Sequence, residues 1–567
     1  MARRKKRGFA ARSPEEESEA LFRRGEALVG RGLVAEAEKV LDRAVELAPG
    51  DPAAGQARAR GILGQARGDE ALGPAADSAP RMDAVLDNGL DGVFAAPGTG
   101  EMWTDEPPGG AEALEHYARA LLRVEDGEHE EALSELDRAV ELEPQSHGAH
   151  NARGEVLSWL DRHDESLAAH GRAAEIDPEY AHAHHGRGCA LASLGRHDEA
   201  LDAYAEAVRI DPDFASAHAC RGDSLMAMGR HAGALDAYAE AVRIDPDFAS
   251  AHACRGDSLM AMGRHAGALD AYAEAVRIDP DFASAHACLG DSLMGMGRHD
   301  EAVAALERAA ELAPDVPIIH VLRGNALVQA GRVEDSLAAH TRAVGLDPAR
   351  ADAHVGRAVA LQLLGRHGDA AAAAMRSIEI TPASARAHLV RGLSLSGLGS
   401  HDDALGEYGE ALRLDPGAVG AHVGRATALL NLGRDEEALE AYGEAIRLDA
   451  GSAGAHAGRG EALASLGRHA EALEAYGLAG RLEPGYDMHK GRGDALMALG
   501  RHAEALEAYV RAVDLDPGFG DAAAAHAGRA AALEALGRAG EAAEARRAAE
   551  GVAADAARRR ARARERD

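Results

Sequence analysis

Residues 181–214 read AHAHHGRGCALASLGRHDEALDAYAEAVRIDPDF, and variants of this stretch fill most of the chain. Its Pro212 belongs to a series spaced 34 residues apart: Pro144, Pro178, Pro212, Pro246, Pro280, Pro314, Pro348, Pro382 and Pro416. Ala450 takes the next slot, and Pro484 and Pro517 continue with one residue deleted. A fixed period of this length marks a solenoid, in which each unit stacks on its neighbours instead of closing its own core. Within the stretch, Leu191 and Leu194 fall on one face of a first helix. Ala200, Tyr204 and Ala207 fall on one face of a second. Gly195 ends the first helix, where a left-handed residue is needed. Asp211-Pro212 ends the second, because the proline ring removes a donor and clashes with the preceding turn. Helices of about 12 residues are marginal alone, so packing of one hairpin on the next must supply the stability.

The same residues follow the tetratricopeptide pattern, Trp-x2-Leu-Gly-x2-Tyr, then Ala-x3-Phe, then Pro. Here it is His184-x2-Arg187-Gly188-x2-Leu191, then Ala200-x3-Tyr204, then Pro212, with His and Arg in place of Trp and Leu. The chain thus resembles a tetratricopeptide-repeat protein over thirteen units, from residue 112 to about 550. A further unit lies at Ser18–Pro49, with Gly25, Leu28, Ala37, Leu41, Ala44 and Pro49 in register. The resemblance implies an all-α, right-handed superhelical solenoid of stacked antiparallel helix pairs. It also implies that partner peptides lie along the first helices, in a concave groove. The matching groove positions are Glu155, Asp223, Asp257, Asp291, Glu461 and Asp494. Trp159, the only tryptophan of the array, is one turn from Glu155. It suits either a partner anchor, since hot spots favour large rigid aromatics, or packing against the next helix.

Around the array, residues 1–17 form a basic N-terminus, and 18–72 hold one unit plus an incomplete second. Residues 73–111 break the period as an acidic, Pro/Gly-rich linker; 112–550 are the array with a capping C-terminal helix, and 551–567 an Ala/Arg-rich tail. The linker segment Met82–Phe94, with Met102 and Trp103, alternates acids with apolar anchors, so it is either a spacer or an occupant of the groove in cis. Two units, 215–248 and 249–282, are identical, which marks a recent duplication. Ala374 stands where other units carry tyrosine, and a soft spot is expected there.

Charge narrows the partners. The net charge is −32, while the first fourteen residues carry +6 and residues 556–567 carry +4, leaving −42 for the middle. An acidic body argues against nucleic acid along the array and for a basic or neutral protein or peptide. The basic ends could meet an anionic surface or be plain tails. MARRKKR is followed by GFAARSPEEE, not by an apolar stretch, and no membrane span is visible. Four cysteines make no disulfide framework. Cytoplasmic location is the default expectation. The preference for Arg over Lys suggests a GC-rich bacterial genome.

Three groups invite chemistry. Histidine recurs at the first-helix signature position: His116, His150, His184, His218, His252, His286, His320, His354, His388, His422, His456, His489 and His526. Helices packed about 8–10 Å apart cannot share one zinc between such positions, so neutral imidazoles packed between the two helices of each unit are expected. Such imidazoles would titrate at the cost of helix between roughly pH 6.5 and 5. His182, His185 and Cys189 fall at i, i+3 and i+7 on one helix, a weak zinc candidate with Glu155 or Asp223 as a fourth ligand. Gly222-Asp223-Ser224-Leu225 imitates a hydrolase motif, but a nucleophilic serine needs a strained strand-to-helix turn and an oriented base. No catalytic constellation is found and no cofactor is expected. The function expected is a non-catalytic protein–protein scaffold. A dedicated adaptor for a separately encoded enzyme is the alternative, and a metal-responsive module the remaining one.

Overall fold

The computed structural model describes residues 107–483, 485–515 and 522–564. The N-terminus 1–17, the unit placed at 18–72 and the linker as far as residue 106 lie outside the described residues, as do 565–567. The described residues divide into two compact bodies, one ending at Leu364 and one beginning at Gly365.

The first body alternates first and second helices. Its first helices are α1 (Ala111–Glu125), α3 (His147–Trp159), α5 (Ala181–Ser193), α7 (Ala215–Ala227), α9 (Ala249–Ala261), α11 (Ala283–Gly295), α13 (Pro317–Gln329) and α15 (Ala351–Leu363). Its second helices are α2 (His129–Leu142), α4 (His163–Ile176), α6 (His197–Ile210), α8 (His231–Ile244), α10 (His265–Ile278), α12 (His299–Leu312) and α14 (Val333–Leu346). The second body continues the alternation. It holds α16 (His367–Ile380), α17 (Ala385–Gly397), α18 (His401–Leu414), α19 (Val419–Asn431), α20 (Asp435–Leu448), α21 (Ala453–Ser465) and α22 (His469–Leu482). It ends with α23 (Tyr486–Ala498), α24 (His502–Leu515), α25 (Ala522–Ala535) and α26 (Ala539–Arg564). Each body is an all-α solenoid of helix pairs, with no strand among the described residues. The last helix runs on through the stretch set apart as a tail from residue 551.

The turn chemistry is uniform. Gly195 takes φ 72°, and the Arg196 N–H bonds the Leu191 carbonyl, closing the end of α5 with a left-handed residue. Asp161 fills this slot after α3 at φ 56°, and is the one non-glycine with positive φ among the described residues. After most second helices an Asp turns the chain, with Glu143, Ala313, Thr381 and Glu483 in its place elsewhere: Asp211 Oδ1 accepts from the Asp213 N–H at 3.1 Å, just where Pro212 forbids more helix.

Packing rests on a ring held in a glycine socket. Tyr204, Tyr238 and Tyr272 are at most 2% exposed. A Cβ added to Gly222 would sit 2.6 Å from the Tyr238 ring, so only glycine lets α7 close on α8. On the far side the ring meets the next unit's first helix, through a second glycine at Gly424 for Tyr408 and Gly528 for Tyr509. Cys220, Cys254 and Cys288 hold this second position beside Tyr204, Tyr238 and Tyr272. At Ala374, expected to be soft, the chain stays closed to solvent. Ala374 is 0% exposed, and Val390 stands at the second-glycine position of α17, 1% exposed. The side chain lost from the ring position is regained on the facing helix.

First helices touch one another as well as their partners. In the first body α3 meets α5, α5 meets α7, α7 meets α9, α11 meets α13 and α13 meets α15. In the second, α17 meets α19, α19 meets α21, α21 meets α23 and α23 meets α25. Second helices of consecutive units make no comparable approach within either body. The closer spacing puts the first helices on the inner side of each body.

Candidate functional site

The inner side is lined by one recurring position, fifteen residues before the ring. Tyr238 Oη donates to Asp223 at 2.6 Å, Tyr272 to Asp257 at 2.6 Å, and Tyr509 to Asp494 at 2.7 Å. These acids therefore serve the packing ring as well as the surface. Burial pushes the Asp257 carboxyl up to about 7, against the Tyr272 hydrogen bond that favours its charge. The Asp223 carboxyl, desolvated where it meets Tyr238 although the residue as a whole is exposed, is lifted to about 6, and so is that of Asp291, whose unit has Leu306 in place of the phenol. Asp223, Glu461 and Asp494 are exposed, Glu155 and Asp291 half-buried, and Asp257 buried. Trp159 ends α3 against the apolar cluster of Tyr117, Leu136 and Val156, its ring centroid 5.4 Å from that of His129.

Most signature histidines are buried, and several also bond the turn before their helices. His218 Nε2 bonds the Pro212 carbonyl at 3.3 Å, and His252 and His286 reach Pro246 and Pro280 at 3.0 Å. The imidazole ties the start of a first helix to the turn before it, and charged groups of its own unit's second helix act on it or feel it, as Glu240 does for His218 and Arg342 for His320. His116 and His388 do bridge the pair, to Glu135 at 2.5 Å and Glu407 at 2.8 Å. Burial lowers the pKa at His150, His320, His489 and His526.

The least regular chemistry lies between α3 and α7. His170 takes the ring position of α4, 1% exposed between Gly154 and Gly186. Its Nδ1 lies 2.9 Å from Asn151 Oδ1, and Asn151 Nδ2 donates to Glu155 Oε1 at 2.9 Å. Burial holds His170 down at about 4 and lifts Glu155 to about 8, so both are neutral near pH 7. Beside them the expected trio is redrawn. His185 Nε2 lies 3.6 Å from Cys189 Sγ and 3.4 Å from Cys220 Sγ, with Cys220 coming from the next unit. His182 is drawn away, its ring 5.5 Å from Tyr180 and 4.8 Å from Phe214. Tyr204 Oη donates to Cys189 Sγ at 3.5 Å. The Cys220 thiol, with His185 and Tyr204, holds Cys189 well below the usual thiol range against burial; Cys220 is correspondingly raised. Among the described residues, His185, Cys189 and Cys220 are the one group of three that converges within 4.8 Å.

Sequence reasoning missed His170, Asn151 and Cys220. The signal for His170 was its place in the ring register. The signal for Cys220 was its distance of 31 residues from Cys189, one period less a helical turn. Ser224, Ser258 and Ser292 lie inside α7, α9 and α11, not on a strained turn. The second body holds a cleft of about 310 Å³ of opposite sign, lined by Arg481, Arg492, Arg511 and His489.

No curated protein matches the chain. Among solved structures it is similar to the APC/C hetero-tetramer Cut9-Hcn1, at 12% identity over 75% of this chain and 97% of that one, with a TM-score of 0.45. It is also similar to yeast Tom70, at 16% identity over 77% and 96%, with a TM-score of 0.35. YrrB, described as a TPR protein with an unusual peptide-binding site, is 23% identical over 34% of this chain and 96% of that one, with a TM-score of 0.28. A family described as Tetratricopeptide repeat matches residues 6–52, 117–181, 288–351, 321–385, 389–453 and 436–487. Two further repeat descriptions of the same kind match 188–229, 222–263 and 256–297, and 487–519. With more than half of the sequence matched and helix pairs in the same frame, the chain belongs to the tetratricopeptide repeat family.

Proposed function

We propose that this chain is a non-catalytic scaffold that holds a partner peptide along the inner face of its first helices. The observation that carries the reading is the repeated inner position, Asp223, Asp257, Asp291 and Asp494 with Glu155 and Glu461, set on helices that lie side by side within each body. A row of similar groups at one-unit spacing suits an extended chain. Its chemistry narrows the partner. Glu155 and Asp257 are largely or partly protonated at neutral pH, so in the first body they offer donors as well as charge. A neutral or basic peptide with hydrogen-bonding groups fits this face better than an acidic one.

The test uses a partner captured by the full chain and then purified. Asp291→Lys and Asp494→Lys on the inner face should each weaken its binding about tenfold or more. Glu240→Lys and Glu274→Lys, on the second helices α8 and α10, should leave it within about twofold. Equal losses from both sets would mean that the inner face is not the binding surface.

A further inference from the structure

We infer that His185, Cys189 and Cys220 form a zinc site that ties α5 to α7. The reading is independent of the scaffold proposal. The warrant is geometric. With zinc–sulfur bonds of about 2.3 Å and a zinc–nitrogen bond of about 2.0 Å at tetrahedral angles, a shared ion sets nitrogen and sulfur roughly 3.6 Å apart. The two nitrogen–sulfur separations here are 3.6 and 3.4 Å, and all three ligand atoms lie within 4.8 Å of one another. The two nitrogen–sulfur separations already match a shared ion. Two thiolates and an imidazole favour a thiophilic ion over magnesium or calcium. Two thiolates also neutralise the dication, which suits a half-buried place.

The surroundings fit an outer shell. Tyr204 Oη points a hydrogen bond at Cys189 Sγ, and Phe214 lies 4.9 Å from the His185 ring and fixes its plane. All three ligands are half-buried. The array supplies its own controls. Cys254 and Cys288 repeat the Cys220 position, but Ala219, Ala253 and Ala287 replace His185, and Asp223, Asp257 and Asp291 replace Cys189. The trio can form at only one seam of the repeat series.

The experiment loads the reduced full chain with cobalt(II) and then displaces it with zinc. The expected result is one metal per chain, with the intense visible bands and sulfur charge-transfer absorption of a tetrahedral thiolate site. His185→Ala, Cys189→Ser and Cys220→Ser should each abolish those bands, and Cys254→Ser should keep them. Tyr204→Phe should weaken zinc about tenfold. Circular dichroism checks each fold; should Cys220→Ser lose helix, Cys220→Ala carries the same test. A pale octahedral cobalt spectrum would overturn the site. So would equal zinc uptake by the Cys189→Ser/Cys220→Ser double variant, or no metal uptake by the reduced chain.

Discussion

Asp257 shows how much one side chain is asked to do. Its carboxyl accepts the Tyr272 hydroxyl at 2.6 Å, with Asp223 one unit away adding like charge. Its folded pKa of about 7 lies above an unfolded value near 3.8. The folded state therefore binds the proton more tightly. The benefit is full below the unfolded value and is lost as pH rises through about 7. His170 runs the other way: lowered to about 4, it costs stability as pH falls from about 6.5 toward that value. The general acid unfolding expected from thirteen buried imidazoles is thus opposed by buried carboxyls in the same helices. Asp257→Asn, which keeps the acceptor and removes the charge, should exceed the parent in stability by more at pH 8 than at pH 5, the difference vanishing only below about 3.8. Urea melts at the two pH values decide this; the same difference at both would refute the titration.

At the scale of the helix pair, the unit is a ring between two sockets, and this was only half legible. Gly188 and Tyr204 could be read from the sequence, because both fall at fixed places in the period. The far socket could not, because Gly424 against Tyr408 joins two units, and only stacking brings them together. The same limit explains the zinc ligands. Helical spacing put His182 with His185, but the stacking partners Tyr180 and Phe214 lie in the loops at either end of the hairpin. The compensation at Val390 was hidden for the same reason. Since Ala374 is fully buried, amide exchange in α16 and α17 should be no faster than in α18 and α19 of the same body. Faster exchange confined to α16 would restore the soft spot. In contrast, Gly424→Val with Tyr408 kept should cost about 3 kcal/mol or more, as overpacking does where neither backbone can yield. Denaturant melts would measure it.

On the scale of the chain, stability is a sum over units and seams. Residues 215–248 and 249–282 are identical, so deleting the first joins Phe214 to Ala249 in a seam the protein already makes. The shortened chain should keep its helix content per residue. Cys254 should arrive in the place of Cys220 and restore the cobalt spectrum. Deleting 215–247, one residue fewer, should shift every later contact by one and lose helix on both sides of the cut. Equal behaviour of the two deletions, by circular dichroism, would refute the seam account.

The ring that each unit lends to its neighbour has one more consequence. Where two neighbouring units are identical, a whole step of 34 residues can be gained or lost with every contact kept. Slippage between the two identical tracts would lengthen or shorten the reach between distant binding positions while leaving every joint as it was. Selection can then act on reach alone, as on the notch of a ruler, without having to rebuild a single contact.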